Sequence, residues 1–183
     1  MSSRDEVISI ARRMLSLGLV SGTFGNVSMR LGDRILITSS GLDYEAMRPE
    51  DLVLLDPSGE VIEGDRPPSS EFRLHLEVYR RLPDVHAIVH THSRCAVACG
   101  DSTDELVPLN ERALRRRVPV APFHPPGTQD LADGAADLLV ERTANAVILR
   151  GHGVVGVGRD LDEALNVCCS VERMTKRLSD ASS

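Results

Sequence analysis

Tryptophan is absent from this 183-residue sequence, and aromatic side chains make up only 3% of it. Phe24, Phe72, Phe123, Tyr44 and Tyr79 are the full set, so the core must be built from Val, Leu, Ile and Ala. No stretch approaches the roughly 18 consecutive apolar residues of a membrane-spanning helix. The opening Met1-Ser-Ser-Arg-Asp-Glu6 has no apolar segment of the kind found in secretory signals, so the cytoplasm is the expected location. An excess of positive charge is lacking too. The net charge is −6, which argues against nucleic acid as a partner. The one basic cluster, Arg115-Arg116-Arg117, has no aromatic neighbour and reads as a solvated helix end. Cysteine spacing forms neither a zinc ribbon nor a redox pair. Cys95, Cys99, Cys168 and Cys169 stand in apolar helical sequence and are expected to be buried free thiols.

What is present suits a folded chain. Hydrophobic residues make up 42% and charged residues 26%, and the length fits one domain over residues 1–183. Ser3 to Glu6 has capping-box form, and Val7, Ile8, Ala11, Met14 and Leu15 follow at helical spacing up to Gly18. A short antiparallel meander is expected over Phe24–Arg30, Arg34–Thr38 and Leu52–Leu55, separated by turn residues. Ser70 is the expected N-cap of a second helix, which Pro83 stops. Beyond it, strands are expected over His86–His92, Val118–Ala121, Ala146–Leu149 and Val154–Val157. Helices are expected from Ser93, from Thr128 and from Asp160. This alternation indicates a layered α/β fold.

Chemistry concentrates in three histidines. His90 and His92 are two residues apart, and alternate residues of a strand project to one face. Zinc needs a third protein ligand and, for catalysis, an open position. His152, in the turn Arg150-Gly-His-Gly153, is the candidate, since flanking glycines permit close approach. His75 reads as a partly exposed helix residue, His86 as a strand end, and His124 as a loop residue within reach of a substrate. Ser69-Ser70-Glu71 offers two hydroxyls at a helix start, where free backbone N–H groups favour an anion, and a carboxylate fit for proton transfer. Two loops, Gly22-Thr-Phe-Gly-Asn26 and Thr38-Ser-Ser-Gly41, add small polar groups.

Five motifs occur in order: Gly22-Thr-Phe-Gly-Asn-Val-Ser-Met-Arg30, Leu36-Ile-Thr-Ser-Ser-Gly41, Pro68-Ser-Ser-Glu71, His90-Thr-His92 and Leu149-Arg-Gly-His-Gly153. Over about Glu6 to Met174 the chain resembles the class II aldolase/adducin family, with the pattern of its sugar-phosphate aldolases and epimerases. The resemblance implies a three-layer α/β/α sandwich around a mostly antiparallel sheet. It implies a divalent zinc on His90, His92 and His152, with Mn²⁺, Co²⁺ or Fe²⁺ as alternatives. Glu71 is implied as the acid/base, and Thr23, Asn26, Ser40, Gly41, Ser69 and Ser70 as the phosphate site. The implied activity is lyase cleavage of a small phosphorylated ketose through a metal-bound enediolate, in a homotetramer with sites between subunits. Decarboxylation or dehydration by the same route is the alternative, and a non-catalytic adducin-like module the third reading.

The chain departs from the aldolase pattern in three places. The segment Pro108-Leu-Asn-Glu-Arg112 carries no tyrosine, Pro126 replaces an aromatic, and no aromatic tail precedes Ser183.

Overall fold

The computed structural model describes residues 2–108 and 110–181. In chain order these form α1 (Ser3–Ser16), β1 (Asn26–Leu31), β2 (Arg34–Ile37), a 3-10 turn (Pro49–Asp51), β3 (Val53–Leu55), β4 (Val61–Glu63) and α2 (Phe72–Arg81). There follow β5 (Ala87–Thr91), α3 (Arg94–Gly100), β6 (Glu105–Leu106), β7 (Val118–Ala121) and α4 (Gln129–Glu141). The chain closes with β8 (Ala146–Leu149), β9 (Gly153–Gly158) and α5 (Leu161–Ala181). Leu109, within the segment that lacks the family's tyrosine, and Ser183 lie outside the described residues.

The strands make one sheet in the order β4-β3-β2-β1-β5-β9-β8-β7-β6. Every neighbouring pair is antiparallel except β7 with β8. Apolar residues of α1, α3 and α5 pack on one face of the sheet, and those of α2 and α4 on the other. Two cores on opposite faces of one sheet make three layers, and the fold is α/β as expected. Among the described residues no helix is long and apolar enough to cross a membrane.

Strand β5 sits near the centre, between β1 and β9. Its side chains alternate: Ala87 and Val89 enter the first core, Ile88 the second. His90 therefore projects to the face covered by α2 and α4. That parity puts an imidazole beneath the start of α2.

Several local expectations are corrected. The capping box of α1 is Ser2 with Asp5, one residue before the expected one. Ser70 does not cap α2; Glu71 holds that position and makes no side-chain cap bond. Its carboxylate is turned instead toward the histidines. Arg115–Arg117 lie in irregular chain leading into β7, with Arg115 paired to Glu163 and Arg117 to Glu105. Carboxylates on separate elements hold that stretch, so it has no need of helical structure. Cys168 alone of the four free thiols is fully buried; the others lie where their helices meet solvent.

Candidate metal centre

Four side chains converge from three parts of the chain. His90 comes from β5, His92 from just beyond its end, His152 from the β8–β9 turn, and Glu71 from the start of α2. One nitrogen or oxygen from each lies within 4.8 Å of the others. The three imidazole centroids are each 4.9 Å apart, so the rings surround a common point. His90 Nε2 is 3.1 Å from His92 Nε2 and 3.0 Å from Glu71 Oε2, while His152 Nε2 is 3.2 Å from Glu71 Oε1.

Glycines permit this convergence. Gly151 takes φ +65° in the turn before His152, whose N–H donates to the carbonyl of Leu149 at 3.0 Å. A β-carbon on Gly153 would stand 2.2 Å from the carbonyl oxygen of Thr91 and 2.8 Å from Cε1 of His90. On the other side, a β-carbon on Gly25 would meet the carbonyl oxygen of His90 at 2.6 Å. No other residue fits either place.

The donor set suits a divalent cation. His90 Nδ1 faces the carbonyl oxygen of Val154 at 3.0 Å, so that nitrogen carries the hydrogen and Nε2 faces the cluster. A ligand imidazole is commonly oriented by just such a carbonyl. Glu71 Oε1 and His152 Nδ1 are buried without a hydrogen-bond partner. A buried acceptor left without a partner is costly, and a cation among these groups removes part of that cost. Burial works to raise the Glu71 carboxyl, but His90, then His152 and the amide of Asn26, hold it well below the usual carboxylate range. Burial opposes a charge on His90 as well, yet the adjacent Glu71 carboxylate raises it above the ordinary imidazole value. Burial and the neighbouring imidazoles lower His92 to about 3, and burial with His90 lowers His152 to about 4. Two imidazoles are thus kept neutral, the state in which they bind metals. Zinc accepts this mixed nitrogen and oxygen set, as do other divalent ions.

The remaining expected site residues lie around this centre at different depths. Asn26 is buried, and its Nδ2 donates to Glu71 Oε2 at 3.1 Å. Ser69 is buried, with Oγ accepting the N–H of Glu71 at 3.3 Å. Thr23, Ser40, Gly41 and Ser70 are exposed. Two of the loops are joined by backbone bonds, Ser40 N to Pro67 O and Ser69 N to Thr38 O, both 3.0 Å. His86 and His124 stay outside the cluster.

Three contributors were missed by the sequence reading. Ser39, between those joined loops, has a buried hydroxyl without a partner. Phe24, expected to start a strand, instead lays its half-exposed ring against His92, 5.2 Å between centroids. The expectation of a partly exposed His75 is overturned. It is fully buried, bonded to Asn26 and Ser28, because β1 lies directly across from its face of α2. The spacing of Glu71, His75 and Tyr79, four residues apart on one helix face, was the available signal.

Three histidines and a glutamate brought together in this way are a donor set that could hold a metal ion. The chain belongs to the class II aldolase and adducin N-terminal domain family, whose model matches residues 5–178. It is 38% identical over 173 residues to 5-deoxy-D-ribulose 1-phosphate aldolase of Bacillus thuringiensis serovar kurstaki, covering 92% of this chain and 80% of the relative. A 5-methylthioribulose-1-phosphate/5-deoxyribulose-1-phosphate aldolase of Rhodospirillum rubrum is 36% identical over 177 residues, covering 95% and 79% respectively. The crystal structure of L-fuculose-1-phosphate aldolase from Thermus thermophilus superposes with a TM-score of 0.87 at 32% identity, over 99% of this chain and 95% of that one.

Proposed function

We propose that this protein is a zinc-dependent aldolase that cleaves a small phosphorylated ketose. The observation that carries the reading is the convergence of Glu71, His90, His92 and His152, with one carboxylate oxygen buried and without a hydrogen bond. Relatives named for 5-deoxyribulose 1-phosphate and L-fuculose phosphate give the substrate class its shape.

A divalent cation on His90, His92 and His152 supplies Lewis-acid stabilisation of the negative charge that develops on the substrate oxygens. The chain's own groups do the rest. The hydroxyl beyond the scissile bond gives its proton to a base, the carbon–carbon bond breaks, and an aldehyde leaves. The bonding electron pair stays with the fragment that bears the phosphate, whose carbon must then take a proton. Glu71 accepts the first proton and returns it to that carbon, so atoms and charge balance. Ser69 and Asn26 hold its backbone and carboxylate in place. Thr23, Ser40, Gly41, Ser69, Ser70 and the second hydrogen of the Asn26 amide form the phosphate site, with uncharged donors. Anchoring the phosphate holds the ketol where the proton transfer occurs.

In this reading the enzyme works in the cytoplasm in carbohydrate metabolism, as a homotetramer. A monomeric mass by light scattering would contradict the assembly. The activity is tested by incubating metal-loaded protein with 5-deoxy-D-ribulose 1-phosphate, L-fuculose 1-phosphate and phosphorylated 3-keto acids. Aldehyde release from a ketose supports the reading; CO₂ release without aldehyde replaces it with decarboxylation.

A further inference from the structure

Beneath the cluster runs a chain of buried polar groups that ends on Glu71. Tyr79 Oη is 2.8 Å from Ser28 Oγ, and Ser28 Oγ is 2.6 Å from His75 Nδ1. His75 Nε2 is 2.5 Å from Asn26 Oδ1, and Asn26 Nδ2 is 3.1 Å from Glu71 Oε2. Asn26, Ser28, His75, Tyr79 and Glu71 are all buried, so each bond must be satisfied from within the protein.

The donor in every link follows from the chemistry of the groups. A carboxylate only accepts, so Asn26 must turn its NH₂ to Glu71 and its carbonyl oxygen to His75. A carbonyl oxygen also only accepts, so His75 must donate from Nε2. Neutral imidazole has one N–H, which leaves Nδ1 as an acceptor for the Ser28 hydroxyl. Ser28 has then spent its hydrogen, and Tyr79 donates to it. Burial, followed by the neighbouring His90, lowers His75 to about 3, which keeps the ring neutral. Arg30 fixes the far end: its guanidinium lies 4.8 Å from the Tyr79 ring centroid and donates to the Tyr79 carbonyl at 2.6 Å. All four bonds run in one direction, from Tyr79 to Glu71.

We propose that His75 is a positioning residue for the reaction, acting as its Nε2–H tautomer to hold the Asn26 amide with its NH₂ toward Glu71. The inference rests on Glu71 as the proton carrier only for its catalytic consequence; the tautomer and amide orientation are independent of it. Without the His75 donor only the Glu71 carboxylate still selects between the two orientations of the amide, and the buried Asn26 carbonyl oxygen is left without its partner. The acid/base would then spend part of its time out of place.

Two measurements on Zn²⁺-loaded protein test this. Nitrogen-15 spectra of histidine-labelled wild type, with His75 identified by its loss in His75→Gln, should show a protonated Nε2 and a bare Nδ1 near neutral pH. A protonated Nδ1 overturns the proposal, and so does a doubly protonated ring. With 5-deoxy-D-ribulose 1-phosphate as the probe, His75→Leu should lose about 10- to 100-fold in turnover, as is usual for partners behind a metal-site residue. His75→Gln, whose amide can still donate to Asn26, should recover most of it. Bound zinc should be unchanged in both. Equal turnover in His75→Leu and wild type, or equal impairment of both variants, overturns the proposal. Should His75→Leu fail to fold, the wild-type spectra still decide. Glu71→Gln is assayed in parallel: full turnover there refutes the role of Glu71, while the spectra judge the relay by itself.

Discussion

His90 donates through Nδ1 to the carbonyl oxygen of Val154, 3.0 Å away on the neighbouring strand. The ring is locked by backbone, and its second nitrogen is aimed at His92, Glu71 and the common centre. A ligand pre-oriented in this way binds metal without first being ordered. His92, beyond the strand end, completes the set with His152. Replacing it removes one of the three imidazole donors and leaves two with the Glu71 carboxylate, which this account reserves for proton transfer. His92→Ala should therefore lose most bound zinc by elemental analysis while keeping the fold by circular dichroism. Full zinc occupancy in that variant would contradict the assignment.

Gly153 gives a prediction on stability. A methyl there meets the Thr91 carbonyl oxygen at 2.2 Å, and this atom belongs to a central strand that cannot withdraw. Gly153→Ala should cost roughly 1–3 kcal/mol, the range for overpacking a closed site. It should also weaken zinc binding, because His152 is the adjacent residue. Urea unfolding of the metal-free protein measures the first effect, and competition with a chelator the second. An unchanged midpoint would mean that β5 and β9 can separate.

Much of this architecture was legible in the chain itself, and the reasons for success and failure are physical. Val118–Ala121 and Ala146–Leu149 are strands at the expected boundaries because both are short buried runs ended by turn residues. The exposed edge strand β4 has no buried face and so left no pattern to read. Strand β6 is two residues long, too short for any periodicity. The three clustered histidines were legible through spacing and glycine. The depth of His75 was not, because its partners Asn26 and Ser28 arrive from β1 through a tertiary contact that local periodicity cannot show.

The proposed phosphate site predicts a defined loss of discrimination. Ser40 and Ser69 belong to loops joined by backbone bonds, and Ser70 follows with an exposed hydroxyl at the start of α2. Ser70→Ala should raise KM for a phosphorylated ketose several-fold and leave its dephosphorylated form unaffected, about 1 kcal/mol for one lost hydrogen bond. The comparison is made by steady-state kinetics on both forms. Equal effects on the two would remove Ser70 from the anion site.

Acid sensitivity follows from the buried imidazoles. His75 has an ordinary value of 6.5 and is lowered to about 3 in the fold, first by burial and then by His90. Below pH 6.5 the unfolded chain takes up a proton that the folded chain refuses, so stability falls as pH drops toward 3. Above 6.5 this group makes no difference between the states. Burial, then neighbouring imidazoles, lowers His92 to about 3 and His152 to about 4, adding in the same direction, while His90, raised against burial by the Glu71 carboxylate, works the other way. Chemical denaturation of metal-free protein should show stability declining from about pH 6.5 downward, less steeply in His75→Gln. Identical slopes would place the wild-type imidazole in solvent.

Turnover by Glu71→Gln, with bound zinc measured in the same sample, tests the account most directly. The amide keeps the shape of the carboxylate but cannot accept the proton, and a positioned acid/base contributes on the order of 10²–10⁴ in rate. The account predicts a variant that still holds zinc through His90, His92 and His152 and releases aldehyde from 5-deoxy-D-ribulose 1-phosphate at least about 100-fold more slowly than wild type. Near-normal aldehyde release by a zinc-loaded Glu71→Gln would contradict it.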